Sequence, residues 1–285
     1  LSHLWENGRP FEEVDERIIR DMFSGIQNRT RKERFVMVFR KLARIAAILL
    51  IPLLSVLSGY LYFNPVNQEE GIGNLVVHAD RGERSGVTLP DGTQVKLNAE
   101  SSLSYTHDFG RELRQVNLEG EAYFEVTRNE DKPFVVHTKY LDIEVLGTSF
   151  NVYSYERENV MEMALISGRI KIQTCSEPSR VVYLKPNEKA LFNKESGIIT
   201  VEKTDNRFET AWLRGDLVFR STTLSDVLAK LERRYGVNIH LNDSSLANDL
   251  FTGNFDSEYI VEVMDLLERH YDFTYDVRGE DIFIH

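Results

Sequence analysis

The chain has 285 residues, of which 42% are hydrophobic, 28% charged and 11% aromatic, enough apolar material for one large or two small cores and too much for a disordered tail. Its 34 Lys and Arg stand against 45 Asp and Glu, a net charge of −11, so a surface that tracks nucleic-acid phosphates is not expected and direct nucleic-acid contact is set aside. The single cysteine, Cys175, excludes an intrachain disulfide, a Cys-rich zinc site and a CxxC redox motif, and reads as a packed thiol.

The charge is unevenly spread. Residues 1–44 carry 10 basic and 7 acidic residues, residues 45–63 carry none, and residues 64–285 carry 24 basic and 38 acidic. Within the first segment Phe11, Val14, Ile18, Ile19 and Met22 recur at helical spacing, which predicts an amphipathic helix. Such a helix cannot close a core alone, so its apolar face (Phe11, Val14, Ile18, Met22) is expected to bind a partner; a frayed tether with a basic membrane-surface stretch is the alternative.

The next segment, Ile45 to Phe63, is 19 uncharged residues, of which eleven are Leu, Ile, Val or Phe. At about 1.5 Å per residue it matches a hydrocarbon thickness of roughly 30 Å, and it predicts a transmembrane helix. A cleavable signal peptide would lie at the very start of the chain, and a buried core helix would show charge on one face. Seven basic residues (Arg29, Arg31, Lys32, Arg34, Arg40, Lys41, Arg44) precede the span, whereas Glu69 and Glu70 follow it. The positive-inside rule then places residues 1–44 in the cytoplasm and the large body outside, which in a Gram-negative bacterium is the periplasm.

Residues 64–75, with Asn64-Pro65, Gly71 and Gly73, read as a linker. From 76 to 204 the pattern is short and alternating: Val87-Thr-Leu89, Val95-Lys-Leu97, Val116-Asn-Leu118, Tyr123 to Val126, Phe134 to Val136, Ile143-Glu-Val145, Phe150 to Tyr153, Ile170-Lys-Ile172 and Val181 to Leu184. Turn signals such as Pro90-Asp91-Gly92, Gly120, Gly147 and Gly168 separate these runs, which predicts an all-β domain of roughly ten strands, a sandwich or a short solenoid.

Residues 205–285 change to a mixed pattern. Leu217-Val-Phe219 reads as a strand, Thr223 caps a helix with Leu224, Val227, Leu228 and Leu231 on one face, and Gly236 ends it. Strands at Val237–Leu241 and Leu250–Phe255, a second helix with Ile260, Val263, Met264 and Leu267, and strands at Phe273–Val277 and Ile282–Ile284 complete a β-α-β-β-α-β-β unit. The fold class is thus mainly β plus α+β, preceded by a helical arm and one span.

No catalytic or metal signature emerges. The seven histidines show neither HxxxH nor HxH spacing, no GxSxG or HExxH is present, and the acids are spaced like solvated strand faces. No cofactor, metal or catalytic residue is expected.

Five motifs in order carry a resemblance: Leu89-Pro-Asp-Gly-Thr93 followed by Val95-Lys-Leu97, Leu118-Glu-Gly-Glu-Ala-Tyr-Phe-Glu-Val126, Pro133-Phe-Val-Val136, Leu146-Gly-Thr-Ser-Phe-Asn-Val152 and Ile166-Ser-Gly-Arg-Ile170. With Trp212, Leu231-Glu-Arg-Arg-Tyr-Gly236, Thr252-Gly-Asn-Phe255 and Ile282-Phe-Ile284, the chain resembles the FecR family of membrane-spanning anti-sigma regulators, especially the branch common in Bacteroides. The final domain is similar to the short amino-terminal domain of secretins and TonB-linked receptors.

The resemblance implies a non-enzymatic inner-membrane relay. An outer-membrane TonB-dependent transducer would contact the periplasmic carboxy-terminal domain, with Tyr235, Tyr259 and Tyr271 as candidate surface aromatics, and an extracytoplasmic-function sigma factor would be held by the cytoplasmic arm. It also marks Gly147-Thr148 as a candidate self-cleavage point, through attack of the Thr148 hydroxyl on the Gly147 carbonyl; a tight turn with Thr148 bonded locally is the alternative. A membrane-anchored periplasmic enzyme, which predicts a cleft with convergent perturbed acids, and an envelope scaffold are the rival classes.

Overall fold

Period-two alternation requires a sheet that buries every second residue, and the computed structural model shows two such sheets packed face to face. It describes residues 74–256 and 259–285, with the isolated positions 50, 52, 54 and 58. The arm (with Phe11, Val14, Ile18 and Met22) and most of 45–63 lie outside the described residues; among those described, no helix is long and apolar enough to cross a membrane. The architecture below is that of the compact unit Gly71–His285.

Thirteen strands build the sandwich: β1 (Leu75–Ala79), β2 (Ser85–Thr88), β3 (Gln94–Leu97), β4 (Ser101–Tyr105), β5 (Arg114–Glu125), β6 (Phe134–His137), β7 (Leu141–Val145), β8 (Ser149–Ser154), β9 (Val160–Ser167), β10 (Ile170–Thr174), β11 (Val181–Leu184), β12 (Glu188–Asn193) and β13 (Ile198–Lys203). One sheet runs β1-β4-β5-β6-β7-β10-β11 and the other β2-β3-β5-β8-β9-β12-β13. Every pair is antiparallel except β5 with β6. The arrangement is a sandwich rather than a solenoid.

Strand β5 belongs to both sheets. Its first half pairs with β4 and β6, and its second half with β3 and β8. Sequence reading treats Gly120 as a break between two strands; in the structure it is the bend of one continuous strand. Gly120 has φ +90°, and a Cβ there would lie 2.3 Å from Ser101 Oγ, so both backbone and space require glycine. Strands β1, β4, β9, β12 and β13 are additional to those expected; a Ser-rich sequence in β4, a Met- and Ala-containing one in β9 and charged residues in β12 and β13 hide the alternation.

Between the sheets Phe124 stacks on Phe150 with centroids 4.9 Å apart, amid Leu97, Leu103, Val136, Ile143, Met163 and Ile170. Each such fully buried side chain contributes about 1.5–3 kcal/mol. The Leu89-Pro-Asp-Gly-Thr93 motif is held by a buried ion pair. Arg114, only 2% exposed, donates to Asp91 Oδ2 at 3.0 Å and to the carbonyls of Thr127 and Lys132, while Asp91 accepts from the Thr93 N–H. A buried guanidinium persists only with partners of this kind.

The carboxy-terminal part follows the β-α-β-β-α-β-β order: β14 (Asp216–Thr223), α1 (Leu224–Tyr235), β15 (Asn238–Leu241), β16 (Leu250–Asp256), α2 (Ile260–Tyr271), β17 (Tyr275–Arg278) and β18 (Asp281–Ile284). β14 pairs with β16, and β15-β18-β17 form a second small sheet. Thr223 Oγ1 accepts from the Asp226 N–H at the start of α1, and Gly236 in the left-handed conformation (φ 69°) ends it. A second core collects Phe219, Leu224, Leu231, Phe251, Met264 and Ile282 between helices and strands.

Candidate functional site

The residues that alternation assigns to solvent on the outer face of the β5-β8-β9-β12 region are not in solvent. Even positions of β5 face the core, so Glu121 points outward, yet it is buried. The same is true of Asn151 on β8, opposite the core-facing Phe150 and Val152. What covers them is the segment after β13, whose short 3-10 turn (Ala211–Arg214) lays Trp212 against the sheet.

A chain of hydrogen bonds joins the layers. Trp212 Nε1 donates to Asn151 Oδ1 at 3.0 Å, Asn151 Nδ2 donates to Glu121 Oε1 at 2.9 Å, and Asn98 Nδ2 donates to Glu121 Oε2 at 2.7 Å. Arg84 Nε in turn donates to Asn98 Oδ1 at 3.2 Å. Burial pushes the Glu121 carboxyl above the ordinary glutamate range, against the pull of the two amide bonds.

A second cluster lies beside it. Lys189 Nζ on β12 sits 3.0 Å from Glu162 and 3.0 Å from Glu209, whose side chain is 2% exposed. Burial opposes the Lys189 charge, but the two carboxylates outweigh it and its pKa is raised; Glu162 is also pushed up because burial outweighs its ammonium partner. Farther along, Arg233 of α1 donates to Glu158 Oε1 at 2.8 Å and to the Tyr153 hydroxyl at 3.0 Å, with its guanidinium 4.2 Å from the centre of the Tyr155 ring.

These groups line a cleft of about 550 Å³ between the sandwich and the carboxy-terminal part, walled by Glu121, Tyr153, Glu162, Trp212 and Lys230. The acids are thus convergent and perturbed, but committed. Each oxygen of Glu121 already accepts an amide N–H, and Glu162 is tied to Lys189. Among the described residues no group of three or more His, Cys, Asp or Glu is placed to hold a metal ion.

The candidate self-cleavage pair sits elsewhere, between β7 and β8. Gly147 lies against Arg128, where a Cβ would be 2.6 Å from Arg128 Cα, and the buried Thr148 donates its hydroxyl proton to the Arg169 carbonyl at 3.1 Å. The three candidate tyrosines are not equivalent. Tyr259, at the start of α2, is 78% exposed, whereas Tyr235 and Tyr271 are partly buried against the second core. Tyr271 also loses its hydroxyl to the interior, where it finds no partner among the described residues. Tyr259 is thus the most exposed of the three, and the sequence gives no sign of the buried or partly buried Glu121, Asn151, Glu162 and Lys189, which alternation alone puts on a wet face, nor of Glu209 in the segment after β13.

The motifs that bracket this junction are those of a known family. Residues 76–171 match the family model described as FecR protein, and residues 216–284 match that described as FecR, C-terminal. A crystal structure of a putative anti-sigma factor from Parabacteroides distasonis is 34% identical, with a TM-score of 0.68 over 74% of this chain and 98% of that one. A second crystal structure under the same description, from the same organism, gives 34% identity and a TM-score of 0.69 over 75% and 99%. The chain belongs to the FecR family of anti-sigma factors. No curated protein matches it. In this FecR-family chain Glu121 and Asn151 lie in the first matched region and Trp212 in the stretch between the two, so their bonded chain ties the first region to the connecting stretch.

Proposed function

We propose that this FecR-family chain is a single-pass inner-membrane anti-sigma factor, amino terminus in the cytoplasm and body in the periplasm. It relays a signal from an outer-membrane TonB-dependent transducer to an extracytoplasmic-function sigma factor. The observation that carries the reading is the order of parts: the family regions begin at residue 76, and the residues before them hold a basic arm followed by 19 uncharged residues. The arm, through Phe11, Val14, Ile18 and Met22, is the sigma-factor contact in this reading.

The input surface lies on the carboxy-terminal part. Tyr259, Val261, Leu266 and Val277 are exposed there, and among the described residues strand β17 pairs on one side, with β18. Exposed apolar side chains beside an open strand edge suit a protein partner. Topology is tested by fusing alkaline phosphatase at the carboxy terminus and after residue 30. Activity from the first fusion and none from the second is expected; the reverse pattern contradicts the placement.

A second reading, a membrane-anchored periplasmic enzyme, draws on the raised Glu121 and Glu162 carboxyls in the cleft. Their existing partners favour a structural role: Asn98 and Asn151 occupy both oxygens of Glu121, and Lys189 holds Glu162.

A further inference from the structure

Strand β1 is one of the weakly anchored edge strands of the sandwich. Among the described residues it is an edge strand, paired with β4 alone, and of its five residues Ala79 alone is buried. An edge strand with one core residue opens locally at low cost compared with a central strand. Strand β8 is the opposite case: it pairs with β5 and β9 and buries Phe150, Asn151 and Val152.

The turn that leaves β1 is not free. Arg81 Nη1 donates to Asn238 Oδ1 at 2.9 Å and Arg81 Nη2 donates to the Val237 carbonyl. The Gly82 N–H donates to the Arg233 carbonyl at 2.7 Å. Gly82 and Gly236 allow this approach, since a Cβ on Gly236 would lie 3.3 Å from the Arg81 carbonyl oxygen and both glycines have positive φ. Every one of these partners is at the carboxy-terminal end of α1 or in the residues that follow it.

Arg233 therefore has two attachments of different stiffness. Its carbonyl holds the turn after the weak edge strand, and its guanidinium holds Glu158 and Tyr153, on the turn after β8 and on β8 itself. If the carboxy-terminal part shifts, the central strands resist and the edge strand yields.

We propose that the end of α1 couples the carboxy-terminal part to strand β1, so that displacing that part loosens the pairing of β1 with β4 through Arg81 and Gly82. This rests on the relay reading for its purpose, because β1 is the first described strand after the apolar stretch at 45–63. The coupling itself is a property of the fold and can be measured without any partner. Arg81 and Arg233 are positioning residues in it.

The test is a double-substitution cycle read by amide hydrogen exchange on the full-length chain in detergent. Arg81→Ala removes the turn's side-chain bonds to Val237 and Asn238, just after α1, and Glu158→Gln removes the charged partner of the Arg233 guanidinium without touching β1. The expected result is tenfold faster exchange at residues 75–79 in Arg81→Ala, at least threefold faster exchange there in Glu158→Gln, and no further gain in the double variant over Arg81→Ala alone. Exchange in β8 stays at the wild-type rate, which verifies the fold; Arg81→Lys, which keeps the charge, replaces Arg81→Ala if that rate changes. Unchanged β1 exchange in Glu158→Gln, or two effects that simply multiply, would overturn the coupling. Either result leaves the sigma-factor reading to its own capture experiment, so the two can fail separately.

Discussion

Trp212 and Asn151, 61 residues apart in the chain, meet through a 3.0 Å hydrogen bond that closes the outer face of the sandwich. The bond fixes the Asn151 amide with its oxygen toward the indole and its nitrogen toward Glu121. One side chain thereby sets the orientation of a largely buried polar chain.

Replacing that indole tests the bond without opening a large void. In Trp212→Phe the Asn151 oxygen loses its buried donor, which costs about 1–3 kcal/mol. For a unit of this size the thermal midpoint falls by roughly 2–4 °C per kcal/mol. Near-ultraviolet circular dichroism on heating checks it, and an unchanged midpoint would show that the bond contributes nothing.

Glu121 gives a pH signature of definite direction. Burial raises its carboxyl above the ordinary value of 4.5, so between 4.5 and the raised value the folded chain holds more protons than the unfolded one. Its contribution is full below 4.5 and is lost as pH rises through the folded value. Wild type is therefore expected to gain stability relative to Glu121→Gln as pH falls from neutrality toward 4.5, and to level off below it. Urea midpoints of both proteins across that range measure the difference; a flat or opposite trend counts against the buried carboxylate.

Lys189 pairs with two largely buried acids, so its loss should exceed that of an exposed pair. Lys189→Met strands Glu209, which is 2% exposed, and is expected to cost about 3–5 kcal/mol. Adding Glu209→Gln should return part of that stability, because the stranded charge is gone. Denaturant midpoints of the single and double variants decide it, and a single variant as stable as wild type would place the cluster in solvent.

For Thr148, the proton is held by a neutral carbonyl that cannot take it up, so the peptide after Gly147 is expected to stay intact. Mass spectrometry of the chain purified from cells should give one full-length mass. Two fragments meeting at Gly147-Thr148, absent in Thr148→Ala, would show instead that the cleavage implied by the family resemblance operates.

The carboxy-terminal part was legible because its signals are local. Thr223, Gly236 and the spacing of Leu224, Val227, Leu228 and Leu231 each act within one helix, and all reappear in their expected roles. The junction was not legible, for a physical reason. Alternation reports which face of a strand a residue occupies, and Glu121, Glu162 and Lys189 do occupy the outer face; what it cannot report is that a segment arriving from residues 204–212 covers that face. Gly120 misled in a related way, since positive φ marks a bend as readily as a break. Strand β9, Val160–Ser167, contains Met, Glu, Ala and Leu, residues that favour helices, and is a strand because both neighbours pair with it.

The proposed sigma-factor contact lies in the first 44 residues. The direct measurement is capture of the full-length chain from detergent-solubilised membranes beside a variant lacking residues 1–44, with co-purifying proteins identified by mass spectrometry. A sigma factor is expected with the full-length chain and none with the variant. A full-length chain with a demonstrably intact arm that brings down no sigma factor would contradict it.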